Sequence, residues 1–436
     1  MRGLPSTIAA FIVLIGLGGY IYYYEWDTPA GGAEEKEKAF ATVKSDDIEE
    51  VRITAGGEAS RATKAEAGWQ LVEPAKAQAD ASELSAITSN LSSLEVQRVV
   101  DENPTDLARY GLNPPRVDVA FRLKGEKDLR HLLIGEKTPT GSELYAKRQD
   151  DKKVFLVSSF LDNTFNRTPF DLRDKRILEF DREKVDSVEI AAGGKTVQLA
   201  RSGTDWKVAK PIAARGDYGA IEGLVTRLSS GQMQRIVDPE PADLKKYGLD
   251  APTVTATVST GSARASLALG TTEGGSVYAK DASRPMVFAV EETLATDLKK
   301  DVGEFRRKDV FEFRPFNATR VEIKRGAESY AFEKTKDKDG KEIWKNSSGQ
   351  NADTTKVEDL LTKLSNLRAQ TFETGVNAAL KSPELVVTAT FEGKTETVQM
   401  GRAGSDIFAA RSDEPGSAKL ETTPYEDAVK ALDALK

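Results

Sequence analysis

Runs in which apolar and polar residues alternate dominate this chain, and alternation with a period of two is typical of half-buried β-strands. Such a run opens three separate blocks of sequence, at Val51 and Ile53, at Val188 and Ile190, and at Val321 and Ile323. Turn residues such as Gly56-Gly57 and Gly203 separate the strands that follow. The pattern therefore predicts antiparallel meanders, in which neighbouring strands are joined by tight turns.

A period close to 3.6 replaces the alternation at one place in each block and predicts one amphipathic helix there. The apolar positions of these helices are Leu84, Ile87 and Leu91; Ile221, Leu224 and Leu228; and Val357, Leu360 and Leu364. A single apolar stripe fits a helix that docks one face on a sheet. Because the strands come in runs and do not alternate with helices, a doubly wound parallel sheet is disfavoured.

Three of the four tryptophans mark an internal repeat. Trp69, Trp206 and Trp344 recur at intervals of 137 and 138 residues. In the first two copies the phrases DLARYGLNPP and DLKKYGLDAP follow, each with its tyrosine, Tyr110 or Tyr247, 41 positions after the tryptophan. The third copy keeps the register in ALKSPELVV but lacks the tyrosine phrase. We therefore expect three tandem copies of one module.

The predicted fold class is α+β. It comprises an N-terminal transmembrane helix and three tandem repeats of a mainly antiparallel sheet module, each with one docked amphipathic helix and short extra helices. The expected segments are a cytoplasmic tip and anchor (1–26), a tether (27–39) and modules at 40–180, 181–313 and 314–436. The phrases DKRILEF and RKDVFEF are interpreted as closing the first two modules, and the diverged third module lacks such a segment.

The anchor is predicted from residues 8–24, a run without any charge. As a helix this run would be about 25 to 28 Å long, near the short end of what spans a hydrocarbon core of roughly 30 Å. Aromatic side chains favour the membrane interface. Those expected there follow one another at the end of the run: Tyr22, Tyr23, Tyr24 and Trp26.

Charges on either side of the run predict its orientation. Arg2 precedes it, while Glu25 and Asp27 follow it, so the positive-inside rule places the N-terminus in the cytoplasm. The expected location is the inner membrane, crossed once, with the bulk of the chain outside the cytoplasm. A cleaved signal peptide is the alternative, but no small-x-small cleavage site follows the run directly, which favours an anchor.

The composition excludes several classes of function. With 39% hydrophobic and 30% charged residues the chain is that of a folded protein, and a net charge of −7 without a basic stripe argues against nucleic acid as a partner. Cysteine is absent, and the single histidine, His131, is matched by Ser266 in the second copy. No catalytic residue, cofactor or metal is therefore predicted.

The repeated aromatic residues have two interpretations, which concern Trp69, Tyr110, Trp206, Tyr247 and Trp344. They could form recognition clefts, or they could be core and corner residues of the module. Residues repeated at fixed offsets in a duplicated domain are more often structural, so the second interpretation is favoured.

Through WQLVEP, DLARYGLNPP and LLIGEKTPTGSELYAK, and then WKVAKP, DLKKYGLDAP and SVYAK, the chain resembles the bacterial domain-of-unknown-function family 4340. The resemblance covers nearly the whole chain after the tether. It implies no activity, but it does imply a context, since such proteins are typically encoded beside an ABC-2-type permease, its ATPase and an auxiliary subunit similar to gliding-motility transporter components. Without a P-loop, the chain fits an accessory role.

The leading hypothesis is therefore a non-enzymatic envelope protein that assists an ABC-2-type transporter. Its expected partners are the permease, the auxiliary membrane subunit and a cell-wall or exported polymer. One alternative is an envelope glycan hydrolase with paired carboxylates, at least one of them with a raised pKa. The other alternative is a structural spacer.

Overall fold

The structure is a computed structural model that describes residues 37–435. These residues form two compact units, one ending at Lys175 and the other beginning at Arg176. The predicted anchor, with Tyr22, Tyr23, Tyr24 and Trp26, and nearly all of the tether lie outside the described residues. Among residues 37–435, no helix has both the length and the apolar character needed to cross a membrane.

The first unit contains one sheet of nine antiparallel strands in the order β4-β3-β2-β1-β6-β7-β8-β9-β5. The strands are β1 (Ile48–Ala55), β2 (Glu58–Ala65), β3 (Gly68–Glu73), β4 (Ala77–Gln78), β5 (Arg98–Asp101), β6 (Val117–Leu123), β7 (Arg130–Lys137), β8 (Glu143–Arg148) and β9 (Val154–Ser158).

The second unit contains two sheets. The first of them repeats the nine-stranded order as β13-β12-β11-β10-β15-β16-β17-β18-β14. Its strands are β10 (Ser187–Ala192), β11 (Lys195–Ser202), β12 (Asp205–Lys210), β13 (Ala214–Arg215), β14 (Arg235–Asp238), β15 (Val254–Thr260), β16 (Ala263–Glu273), β17 (Ser276–Asp281) and β18 (Val287–Glu291).

The third sheet has eight strands in the order β21-β20-β19-β23-β24-β25-β26-β22. They are β19 (Ala318–Arg325), β20 (Glu328–Lys336), β21 (Glu342–Asn346), β22 (Ala369–Glu373), β23 (Leu385–Phe391), β24 (Lys394–Ala403), β25 (Asp406–Arg411) and β26 (Ser417–Leu420). Three mainly antiparallel sheet modules with helices confirm the predicted α+β class.

Each sheet carries two α-helices. They are α1 (Ala81–Ser92) and α2 (Leu161–Phe165) in the first unit, and α3 (Tyr218–Ser230), α4 (Glu292–Leu298), α5 (Thr354–Ser365) and α6 (Thr422–Asp433) in the second. The helices α1, α3 and α5 each begin at an aspartate, Asp80, Asp217 or Asp353, whose carboxylate accepts amide hydrogens of the first turn. Each then runs from one edge strand of its sheet to the opposite edge strand.

The predicted apolar stripe of these helices is confirmed. Leu84, Ile87 and Leu91 are fully buried, and the matching residues of α3 and α5 are at most 5% exposed. The glycine pairs are also confirmed as hairpin turns, because Gly56-Gly57 and Gly193-Gly194 have positive φ angles between paired strands.

The segment RKDVFEF differs from its interpretation as the end of the second module. Val310, Phe311 and Phe313 are buried in the core of the third sheet, where they open the module. Phe40 has the matching position in the first sheet, and its ring lies edge-on against Phe121, with 5.0 Å between the centroids. Because the repeat is periodic, the sequence alone does not show whether this segment begins one module or ends the module before it.

An arginine fixes the opening segment of every sheet. Arg148 donates a hydrogen bond to the carbonyl oxygen of Ala39 (2.9 Å). Arg284 does the same for the carbonyl of Ile177 (2.7 Å), and Arg411 for that of Val310 (2.8 Å). These three contacts show that the repeat includes an arginine-to-carbonyl hydrogen bond as well as the sheet.

Candidate functional site

Two tyrosine corners occupy the same position in the first and second sheets. Tyr110 ends a 3-10 turn and donates a hydrogen bond to the Asp101 carboxylate (2.9 Å), and Tyr247 donates likewise to Asp238 (2.8 Å). The next residue, Gly111 in the first sheet, has a left-handed conformation, with φ of 66°, which glycine adopts readily. The carboxylate sits on the edge strand, so the corner ties a long loop back to the sheet.

A strand glycine permits each corner to pack this closely. A Cβ atom on Gly135 would lie 2.0 Å from the carbonyl oxygen of Tyr110, and one on Gly270 would lie 2.0 Å from that of Tyr247. Gly401 has the same relation to Ala379 in the third sheet, at 2.4 Å. Sequence reasoning missed this role, although a glycine ends the strand phrases LLIG, LALG and VQMG.

The repeated aromatic residues lie in cores and corners. Trp69, Trp206 and Trp344 are buried in their sheets' cores, and both corner tyrosines are at most 7% exposed. Burial and then the hydrogen bond to Asp101 raise the pKa of Tyr110. The hydrogen bond to Asp238 raises the pKa of Tyr247. Geometry thus favours the structural interpretation of these residues.

The third corner is built differently. Its turn, Ala378–Lys381, contains no tyrosine, and the edge carboxylate of Glu373 accepts hydrogen bonds from Ser417 (3.1 Å) and Asn377 (3.2 Å). The loop between strand and turn is short and leaves the Val376 side chain 62% exposed. Loss of the tyrosine therefore changes the surface of this copy.

This altered loop forms one wall of a cleft of about 1010 Å³ within the second unit. We call it the corner cleft, and it is lined by residues 190, 192, 194–197, 211–212, 298–303, 306 and 372–376. Its apolar side chains come from both sheets and from α4: Ile190, Val197, Pro211, Ile212, Leu298, Val302, Phe372 and Val376. No sequence pattern predicts this cleft, because its walls are about 180 residues apart along the chain.

An extended segment holds the two walls in place. The amide of Arg307 donates to the carbonyl of Arg215 (2.9 Å), and the amide of Asp217 donates to Phe305 (2.8 Å), which joins this segment to the edge strand β13. On its other side, the amide of Ala369 in β22 donates to the carbonyl of Lys308 (2.8 Å). The segment thus pairs with the second and the third sheet at once.

Buried charges reinforce this junction. Arg306, 4% exposed, donates to Glu414 (3.1 Å), which also pairs with Arg215, and the Arg306 guanidinium lies 4.0 Å from the Phe372 ring centroid. Burial lowers the pKa of Arg306, and Glu414 opposes this effect. Nearby, Arg411 donates to the buried Glu396 (2.6 Å). A set of mutually paired charges therefore lies at this junction, and one of them, Arg306, lines the cleft.

The single histidine pairs with one carboxylate in the described part of the chain. His131 lies on β7, and its Nδ1 atom is 3.0 Å from the Asp118 carboxylate on β6. No group of three or more histidine, aspartate or glutamate residues within 37–435 has a metal-binding arrangement. The carboxyl groups in this range whose pKa is shifted, such as Glu50 and Asp413, are shifted downward, which gives no support to the hydrolase alternative.

Comparison with known proteins identifies a family but no activity. A family model described as Domain of unknown function (DUF4340) matches residues 69–218 and again residues 206–386. No curated protein matches the chain.

Two solved structures from Pseudomonas aeruginosa show a remote similarity. The DNA polymerase sliding clamp with ligand has 9% identity, covers 87% of this chain and 92% of its own, and has a TM-score of 0.14. The DNA polymerase III subunit beta has 9% identity, covers 87% and 93%, and has a TM-score of 0.17. At such scores the similarity carries no conclusion about fold or function.

Proposed function

The chain belongs to the family described as Domain of unknown function (DUF4340), and from that premise we propose that it is a non-enzymatic, membrane-anchored protein of the bacterial envelope. It serves an ABC-2-type transporter system as an accessory subunit, beside the permease and an auxiliary membrane subunit. Residues 1–26 cross the inner membrane once, with the N-terminus in the cytoplasm. The sheets lie outside the cytoplasm, where they contact a protein or an envelope polymer.

The observation that supports a binding role is the corner cleft. Its volume of about 1010 Å³ is at the upper end of the range of roughly 300 to 1,000 Å³ that is common for ligand sites. Apolar side chains line it, and the hydrogen bonds of the segment 305–308 hold its walls in place without a partner. A spacer without a binding role has no need for such a surface.

The third copy is the specialised one in this proposal. The first two copies keep the tyrosine corner, whereas the third replaces it with the loop 374–377, which forms a wall of the cleft. Divergence of one copy in a repeat protein is expected where that copy contacts a partner, because the other copies supply the scaffold.

The test is affinity purification of the full chain from detergent-solubilised membranes of the native host. We expect the permease and the auxiliary subunit to be recovered with it. Replacing Gly375 with Trp fills the cleft and is expected to reduce that recovery, since a Cβ atom there meets open space. Gly223→Trp is the matched control, because Gly223 is exposed on α3 and its added Cβ also meets nothing within 4 Å.

Recovery of the chain alone, under conditions in which the permease and the auxiliary subunit are solubilised and intact, would overturn the proposal. So would release of the chain from membranes by alkaline carbonate, because a transmembrane helix resists such extraction.

A further inference from the structure

We propose that the corner cleft binds an extended segment of a partner protein in which apolar side chains alternate with carboxylates. This inference rests on the proposed function and deepens it by naming the class of ligand. It is carried by the lining of the cleft, by its charges and by the rigidity of its walls.

The apolar part of the cleft suits side chains that are inserted at intervals. Ile190 and Leu298 form its buried base, with 2% and 1% of their surfaces exposed. Val376 is 62% exposed at the rim, and the Phe372 ring, which also lines the cleft, packs against the buried Arg306. Water covers the exposed side chains in the free protein, and an apolar partner would release it.

Glycines in the walls leave space for the backbone of a ligand to approach. Gly194, Gly303 and Gly375 all line the cleft, and added Cβ atoms on Gly194 and Gly375 would meet no atom within 4 Å. Three positions without side chains leave room for a main chain and not only for inserted side chains. This favours an extended peptide over a compact small molecule.

The two carboxylates of the cleft accept hydrogen bonds from neutral groups and keep their negative charge. Asp301 accepts the amide of Gly303 (3.1 Å), and Glu373 accepts hydrogen bonds from Ser417 and Asn377. The cations differ, because Lys195 and Lys299 are exposed lining residues whose side chains have neither an ion pair nor a hydrogen bond among residues 37–435. These two lysines are therefore the charged lining groups in this range that still lack a partner, and carboxylates of a ligand would pair with them.

The walls are fixed relative to each other, which lowers the cost of ordering the site. The backbone of residues 305–308 pairs with both sheets, and Glu414 pairs with Arg215 and Arg306 behind the cleft. A preformed site loses little conformational freedom when a ligand binds. Most of the conformational freedom lost on binding is therefore that of the extended partner segment, as is usual for peptide recognition.

A protein segment is favoured over a membrane lipid as the occupant. An acyl chain has no charged groups that could pair with the lysines along the rim of the cleft. A peptide that alternates apolar and acidic residues presents both apolar side chains and carboxylates along its length. The lipid is therefore an outcome that the experiment must distinguish.

The experiment uses the full chain in nanodiscs of neutral lipid and measures fluorescence polarisation of labelled peptides. The probe alternates Glu with Leu, Ile and Val over ten residues, and its counterpart has Lys at each Glu position. We expect saturable binding of the acidic probe and at least about tenfold weaker binding of the basic one. The charge reversal K195E/K299E should lower the affinity for the acidic probe about tenfold and raise that for the basic probe.

Matched variants assign the effect to the cleft. Gly375→Trp should abolish binding of the acidic probe, while Gly223→Trp should leave it unchanged. K338E/K341E, which reverses two exposed lysines on the β20–β21 hairpin, should also leave it unchanged. Thermal melting of each variant verifies that the second unit is folded, and the charge reversals test the proposal even if Gly375→Trp unfolds.

Three results would overturn the inference: no saturable binding of the acidic probe, equal binding of both probes, or binding that survives both cleft variants. Cleft-dependent capture of anionic phospholipid vesicles without peptide binding would assign the site to lipid and also overturn it. If the transporter subunits co-purify but the probe does not bind, the proposed function stands and this inference fails. If the probe binds but no transporter subunit co-purifies, the proposed function fails and this inference stands.

Discussion

Single polar side chains decide how firmly each corner and helix is held. The Tyr247 hydroxyl reaches Asp238, nine residues earlier, and so closes the loop between the edge strand and the centre of the second sheet. Its ring also lies edge-on to Tyr278, with 5.2 Å between centroids. The hydrogen bond and the ring contact are separable by mutation.

We predict that Tyr247→Phe lowers the free energy of unfolding of the second unit by about 1.5 to 3 kcal/mol, because a hydrogen bond to a charged group is lost. The ring contact remains, so the fold should persist. Urea unfolding monitored by tryptophan fluorescence measures the change. Tyr218→Phe, at a site that is 55% exposed, is the control, and an equal effect there would contradict the prediction.

Glu222 illustrates a residue that sequence patterns did not select. It accepts hydrogen bonds from the Trp206 indole (2.8 Å) and from Arg201 (2.6 Å). Burial alone would raise its pKa, but the hydrogen bonds from Trp206 and Arg201 outweigh burial and lower the pKa below the usual 4.5. The ionised form therefore stabilises the fold, and Trp344 in the third sheet has no such acceptor within residues 37–435.

The lowered pKa of Glu222 determines the direction in which the stability of the fold changes with pH. The stabilisation by Glu222 is complete above about pH 5 and is lost as the pH falls through the pKa of the folded state. Glu222→Gln should therefore cost about 1 to 3 kcal/mol at pH 7, and this difference should narrow below pH 4. Urea unfolding at both pH values measures it. Glu358→Gln, at the matching but exposed position of α5, should change little at either pH.

Elements are held together by close backbone contacts as well as by apolar stripes. The corner of each sheet lies on the face opposite its helix, because Leu133 packs with Tyr110 while its neighbours Leu132 and Ile134 belong to the helix-side core. A strand glycine lets the corner carbonyl approach that face. The helix stripe could be predicted from periodicity, but the glycine contact joins residues 22 to 25 positions apart (Gly135 with Tyr110, Gly270 with Tyr247, Gly401 with Ala379) and leaves no periodic signal.

Two glycine-to-alanine changes in the module of the second sheet should therefore change the free energy of unfolding in opposite directions. Gly270→Ala places a Cβ atom 2.0 Å from a backbone oxygen, and the shift it forces should cost about 3 kcal/mol. Gly223→Ala, on an exposed face of α3, should stabilise by about 0.5 to 1 kcal/mol, because alanine is the better helix former. Thermal melting of both variants tests this. Stabilisation by Gly270→Ala would refute the contact.

At the scale of the molecule, the second and third sheets behave as parts of one compact unit. The segment 305–310 pairs with an edge strand of each, and Glu414 brings together Arg215 from the second sheet and Arg306 from the segment. Both the backbone and the charges must separate before the two sheets can move independently.

Glu414→Ala is predicted to lower the stability of this junction by about 3 to 5 kcal/mol, because the buried Arg306 loses its partner. Hydrogen exchange at the amides of Asp217, Arg307 and Ala369 should become faster, while amides in the centre of the third sheet keep their protection. Glu342→Gln is the control, since the Glu342 side chain is 64% exposed and lies 3.8 Å from Lys334. Unchanged exchange in Glu414→Ala would show that the backbone pairing alone holds the junction.

The sequence by itself determined the repeat, the antiparallel meanders and the helix stripes, because these features depend on residues that are near one another or recur at a fixed interval. The tertiary structure decided which sheet the segment RKDVFEF packs on, since a periodic sequence has no marked beginning. It also decided the corner cleft, which is lined by Ile190 from the second sheet and by Val376 from the loop after β22 of the third. The position of residues so far apart in sequence is set by how modules pack, and packing leaves no local pattern to read.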